Sequence, residues 1–123
     1  VSILDCHTLT EFDVDQQIMR VSSTMNYIFE WDPAKATANL SKHGVSFEQA
    51  AMVFRDPRQI SVFDDEHSDQ EDRWVTIGID GEGTLLVVIH SYRTTSDDDV
   101  TIRLISTRKA NRYERRQYSG HGH

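Results

Sequence analysis

Apolar and polar positions divide the chain into an interrupted leader, a helical stretch, a strand-rich second half and a final helix. Tyr27 to Trp31 (YIFEW) is aromatic and β-branched, which predicts a short strand. Asp32-Pro33 then signals a helix start, because the carboxylate caps free amides and proline suits a first turn that needs no donor. This helix is expected from Pro33 to about His43, with Ala34, Ala38 and Lys42 along one side and Gly44 as its left-handed end. Ser46 and Gln49 form a capping box for a second helix whose apolar stripe is Phe47, Ala50, Ala51 and Phe54, ended by Asp56-Pro57. Gln59 to Phe63, Arg73 to Ile79, Leu85 to Tyr92 and Val100 to Ser106 are rich in Val, Ile, Leu and Thr and predict strands. Asp80-Gly81-Glu82-Gly83 makes a hairpin turn between two of them, and from Arg108 to Tyr118 the pattern returns to a basic helix.

The order β-α-α-β-β-β-β-α predicts an α+β fold: an antiparallel meander with helices on one face, leaving the other face or its edge for ligands. Residues 1 to 24 lack sustained periodicity and are expected to form a disordered or poorly packed leader, upstream of a domain from Met25 to Tyr118. The final residues, including His121 and His123, read as a tail.

Composition narrows the class. At 123 residues the chain has the size of one domain, and its hydrophobic fraction of 37% is that of an ordinary soluble protein. The apolar run Leu85 to Ile89 is far too short to cross a bilayer. Cys6 is the only cysteine, so no intrachain disulfide or thiolate zinc cluster can form, and a reducing cytoplasm is the expected location. The net charge of −7 argues at first against a nucleic-acid partner, but the charge is unevenly distributed. Arg103, Arg108, Lys109, Arg112, Arg115 and Arg116 stand against the single acid Glu114, while Asp64 to Asp72 and Asp97 to Asp99 hold much of the negative charge. Such a dipole can offer phosphate one basic face, or recruit a basic partner through its acidic segments.

The segments FEWDPAKATANLSKHGVSFEQAAMVFRDP, DDEHSDQEDRWVTIG, LLVVIHSYR and IRLISTRKANRYERRQY, taken in order, resemble successive motifs of the BrnT family of toxins. The resemblance covers about Tyr27 to Tyr118. It implies a RelE-like fold, RNA cleavage without metal or other cofactor, and inhibition by a BrnA-type antitoxin carrying a DNA-binding domain. Promoter DNA would then be reached only indirectly, through the antitoxin. The chain departs from the pattern at Thr107, where alanine is expected, and at His90-Ser91, where Tyr-Thr is more usual.

Metal-free RNA cleavage needs a base for the 2′-hydroxyl, cations for the extra phosphoryl charge and an acid for the leaving oxygen. Arginine suits the second role because its planar fork grips two oxygens and keeps its charge. Arg93 and Arg103 lie on adjoining predicted strands, and alternation places Arg103 with Ile105 and Thr107, away from Ile102, Leu104 and Ser106. The strand pattern alone fits a surface ion pair equally well; the resemblance favours a role at phosphate. His67 and Glu71 are the best titratable pair, although the acids around them also fit a solvated loop or, less well, a divalent-metal site with Asp64. Lys42 at the end of the first helix, Arg73 before a strand, and Arg108, Lys109, Arg112 and Arg115 at helical spacings are candidate RNA contacts. Helix-dipole pairing explains Lys42, and ion pairing with Glu114 explains the last helix, as simply. The leading expectation is an endoribonuclease toxin cutting single-stranded RNA. The alternative is a non-catalytic module acting as co-repressor through its DNA-binding partner; cleavage of naked RNA in EDTA separates the two.

Overall fold

The computed structural model describes residues 2–4, 19–20, 26–65, 72–94 and 99–121. Helix α1 (Pro33–His43) starts where Asp32 accepts a bond from Ala34 N and ends at Gly44, whose φ of 70° is the left-handed value glycine adopts without strain. Helix α2 (Phe47–Met52) carries the complete Ser46/Gln49 capping box and tightens into a 3-10 turn, Val53–Arg55. Strands β1 (Ser2–Leu4), β2 (Met19–Arg20), β3 (Asn26–Trp31), β4 (Ile60–Phe63), β5 (Trp74–Ile79), β6 (Leu85–Thr94) and β7 (Asp99–Lys109) form one sheet, and helix α3 (Arg112–His121) follows it.

From β4 to β7 the strands pair antiparallel in chain order, as the meander requires. The hairpin turn between β5 and β6 is held by Asp80, whose Oδ1 accepts from Glu82 N and Thr84 N. The expectation of a wholly antiparallel sheet is corrected at β3, which lies parallel to β7 with Glu30 level with Arg103. The cause is topological. After β3 the chain crosses one face through α1 and α2 and re-enters at the far edge as β4, and three reversals bring β7 back beside β3 in the same direction. Within the leader expected to stand apart from the domain, β1 and β2 pair antiparallel with β3.

Alternation along β6 separates two apolar layers. Leu86 and Val88 pack with Phe29, Trp31, Ile102, Leu104 and the inner sides of α1 and α2. Leu85 and Val87 face the other way, against Ile77, Ala110 and Tyr118. Helix α3 therefore covers part of the second face, which corrects the expectation of helices on one face only. Tyr118 anchors it: the hydroxyl donates to Asp56 Oδ2 at 2.6 Å, and the same oxygen accepts from Ile79 N at 2.9 Å.

Ala34, Ala38 and Lys42 lie along the exposed side of α1, which turns Ala36 and Asn39 inward. Two local expectations change. Helix α3 starts at Arg112, not Arg108, because β7 stays paired as far as Lys109, level with Leu86, and Asn111 and Glu114 then cap each other reciprocally. In β7 the pairing skips Ile105, since Ile89 is level with Ser106 but His90 with Leu104. This irregularity reverses the parity beyond it, so Thr107 stands level with Val88 on the helix side rather than sharing a face with Arg103.

Thr107 is 1% exposed, and its Oγ1 has no hydrogen-bond partner among the described residues. Thr107→Val keeps the shape and removes the unsatisfied hydroxyl, so it is expected to raise stability by about 1 kcal/mol. A urea denaturation midpoint that falls instead would show that the hydroxyl is satisfied.

Candidate active site

Strand β5 begins at Trp74, level with His90, so among the described residues no strand lies beside Ser91 to Thr94 of β6 on that side. On the face opposite α1 and α2, a cavity of about 270 Å³ opens there, lined by Glu30, Asp72, Ser91, Tyr92, Arg93, Thr101 and Arg103. Register explains the gathering: Arg103 is level with Ser91 on one side and Glu30 on the other, and Arg93 is level with Thr101. Both predicted arginines thus reach one cavity. Arg93 is exposed and Arg103 half-buried, and neither has an ion-pair partner among the described residues. Two guanidinium groups beside a carboxylate can grip a phosphodiester from two directions and leave an acceptor for a proton.

The other candidate cations are placed differently. Lys42 is exposed on α1, on the helix side of the sheet. Arg73 is half-buried just before β5, where its carbonyl accepts from Asp64 N. Arg108, on β7, forms a two-pronged pair with Glu114, donating from Nη1 and Nη2 at 2.8 and 2.7 Å. The bond with Arg108 holds the Glu114 carboxyl below the usual range and raises the guanidinium in turn. Lys109, Arg112 and Arg115 are exposed, the first at the end of β7 and the others on α3. His67 and Glu71 lie outside the described residues.

For Glu30 the sequence carries half of the signal. In YIFEW, Tyr27, Phe29 and Trp31 turn to the core and Glu30 to the opposite face. Its neighbour Arg103 was hidden by the parallel pairing. His90 was also missed as a structural residue. It is 3% exposed, with Nε2 at 2.7 Å from Thr76 Oγ1, which is itself 2.7 Å from Ser61 Oγ, and Phe54 packs edge-on against the ring.

Burial lowers the His90 pKa to about 4, against a partial opposing effect from the Ser91 carbonyl. The unfolded chain therefore binds more protons between pH 6.5 and 4. This contribution to stability is complete above about 6.5 and is lost as pH falls through about 4. The loss is expected to be on the order of 3 kcal/mol. His90→Gln, which keeps hydrogen-bonding atoms but does not titrate there, should flatten urea midpoints over this window. An equally steep decline in the variant would place the dependence elsewhere.

Comparison with known proteins supplies the family. The model of the BrnT toxin family, described as the ribonuclease toxin, BrnT, of type II toxin-antitoxin systems, matches residues 31–114. The crystal structure of the Brucella abortus ribonuclease toxin BrnT is similar at 25% identity, covering 72% of this chain and 100% of that one, with a TM-score of 0.48. No curated protein matches. The family match spans well over half of the sequence and includes Arg93 and Arg103, and the chain belongs to the BrnT family of ribonuclease toxins of type II toxin-antitoxin systems.

Proposed function

We propose that this protein, with a RelE-like arrangement of its sheet and helices, cleaves single-stranded RNA without a metal ion in the cavity between β3, β7 and β6, and arrests growth by doing so. The observation that carries this reading is the convergence of Arg93 and Arg103 on one open cavity, beside Glu30 and without ion-pair partners among the described residues. The ribose 2′-hydroxyl attacks the adjacent phosphorus, a base takes its proton, the phosphorus–O5′ bond breaks, and an acid protonates the departing oxygen. The arginines neutralise the charge that builds on the phosphoryl oxygens. Glu30, level with Arg103, is one carboxylate available as proton acceptor. His67 remains the candidate acid or base, in the segment that leads to the cavity-lining Asp72, with Glu71 tuning it. Lys42, Arg73, Lys109, Arg112 and Arg115 are proposed to extend the contact with RNA phosphates, and Arg108 chiefly steadies the start of α3 through Glu114.

The family implies an antitoxin partner. We take this to be a BrnA-type protein, with promoter DNA bound only through it and the complex acting in the cytoplasm. No helix among the described residues is long and apolar enough to cross a membrane.

Purified protein is expected to cleave naked RNA in EDTA; intact RNA would favour the co-repressor module instead. His67→Ala should remain folded and lose at least about tenfold in cleavage rate, and a pH–rate profile should lose its limb near neutrality. Cleavage at the parent rate by His67→Ala would leave the arginines and Glu30 as the catalytic set.

A further inference from the structure

A second cavity, of about 310 Å³, lies on the helix side of the same open stretch of β6, between the rings of Tyr27, Phe54, Trp74 and Tyr92 and the polar groups of Ser61 and His90. Its volume is at the lower end of the range of about 300–1,000 Å³ for small-ligand pockets. No charged side chain lines it among the described residues, and His90 is held neutral by burial at physiological pH. One wall continues outward as a ladder of rings across three strands. Phe63 meets Trp74 at 5.3 Å between centroids, and Trp74 meets Tyr92 at 5.5 Å. Phe63 and Tyr92 are exposed, at 37% and 44%.

Aromatic rings left part-exposed in an uncharged pocket suit a flat, neutral, aromatic ligand. Tyr92 decides which one, because it lines this pocket and the arginine cavity alike. Among the described residues no strand pairs with that edge of β6 beyond Trp74, and the two cavities lie on opposite faces of that same stretch. Phosphate would suit the arginine side and a base the aromatic side, with Tyr92 shared between them.

We propose that this pocket binds one nucleobase of the single-stranded RNA whose scissile phosphate occupies the arginine cavity, with the base stacked on the Trp74–Tyr92 pair. The proposal rests on the RNA-cleavage reading and assigns the aromatic ladder to substrate positioning. Such stacking tolerates any base, so it sets the phosphate's position more than the sequence cut.

The test is fluorescence titration of the full chain with a short 2′-O-methyl oligoribonucleotide, which cannot be cleaved because its attacking oxygen is blocked. Trp31 is 6% exposed in the core, so quenching reports on Trp74. Saturable quenching is expected, with binding weakened about tenfold in Tyr92→Leu and restored in Tyr92→Phe, and with no quenching by an abasic oligomer of the same length. In cleavage assays Tyr92→Leu should raise KM more than it lowers kcat. Unchanged fluorescence, equal affinity for the abasic oligomer, or normal binding by Tyr92→Leu overturns the proposal and leaves the ladder as a protein-binding patch. Because the oligomer is inert, the two readings fail separately: an enzyme that cleaves RNA without quenching refutes the base pocket alone, and one that shows base-dependent quenching without cleavage refutes the nuclease reading.

Discussion

Arg103→Ala is expected to lower the rate of RNA cleavage by about 10²–10³-fold, and Arg103→Lys to recover little of it. Arg103 sits half-buried between Glu30 and Ser91 in the register of the sheet, where its fork can be fixed before substrate arrives. Lysine keeps the charge but supplies a point donor in place of two parallel N–H groups, so geometry and charge separate in this substitution. Arg93, exposed at the rim of the same cavity, should behave alike with a smaller loss. An interaction made mainly in the transition state lowers kcat and kcat/KM together. Stability should change by less than about 0.5 kcal/mol, because neither arginine has an ion-pair partner to lose among the described residues. Near-normal cleavage by both lysine variants would return the arginines to ordinary surface residues.

Asn39→Ala is expected to cost about 3–4 kcal/mol of folding stability, a large share of what a domain of this size possesses. Strand β3 pairs with β7 only as far as Arg103, and beyond it the amide of Asn39 takes the place of a strand. Its Nδ2 donates to Thr107 O at 2.9 Å and to Val45 O at 3.0 Å, while Oδ1 accepts from Thr107 N at 3.1 Å. Val45 and Thr107 are almost wholly buried, so alanine would strand backbone groups away from water. Urea denaturation with an unchanged m-value should register the loss. A shift of less than about 1 kcal/mol would mean that water satisfies those groups in the variant.

Much of this architecture was legible because it is local. Asp32-Pro33, Gly44, Ser46 with Gln49, and the Asp80 turn announce their elements through capping and turn chemistry confined to a few neighbouring residues. The alternation that sets Arg103, at the cavity, apart from Ile102 and Leu104, in the core, is equally local. The features that failed depend on distant partners. The parallel pairing of β3 and β7 follows from a helical crossover, so no turn signal marks it, and with it went the chance to see Glu30 beside Arg103. The skipped Ile105 leaves no compositional trace, yet it moves Thr107 to the other face. Nothing local marks Asn39, because its bonding partners lie far along the chain or beyond the helix end. The basic run after Thr107 has helical spacing throughout, but pairing with β6 captures Arg108 and Lys109 before Asn111 can start a helix.

If a ribose 2′-hydroxyl attacks a phosphate held by arginine in this cavity, the ends of the RNA products carry its signature. Cleavage in EDTA of a defined RNA is expected to leave a 2′,3′-cyclic phosphate and a free 5′-hydroxyl, and a single 2′-deoxy substitution at the cut site should abolish it. Products bearing 5′-phosphates, or undiminished cleavage at the deoxy position, would rule out attack by the 2′-hydroxyl.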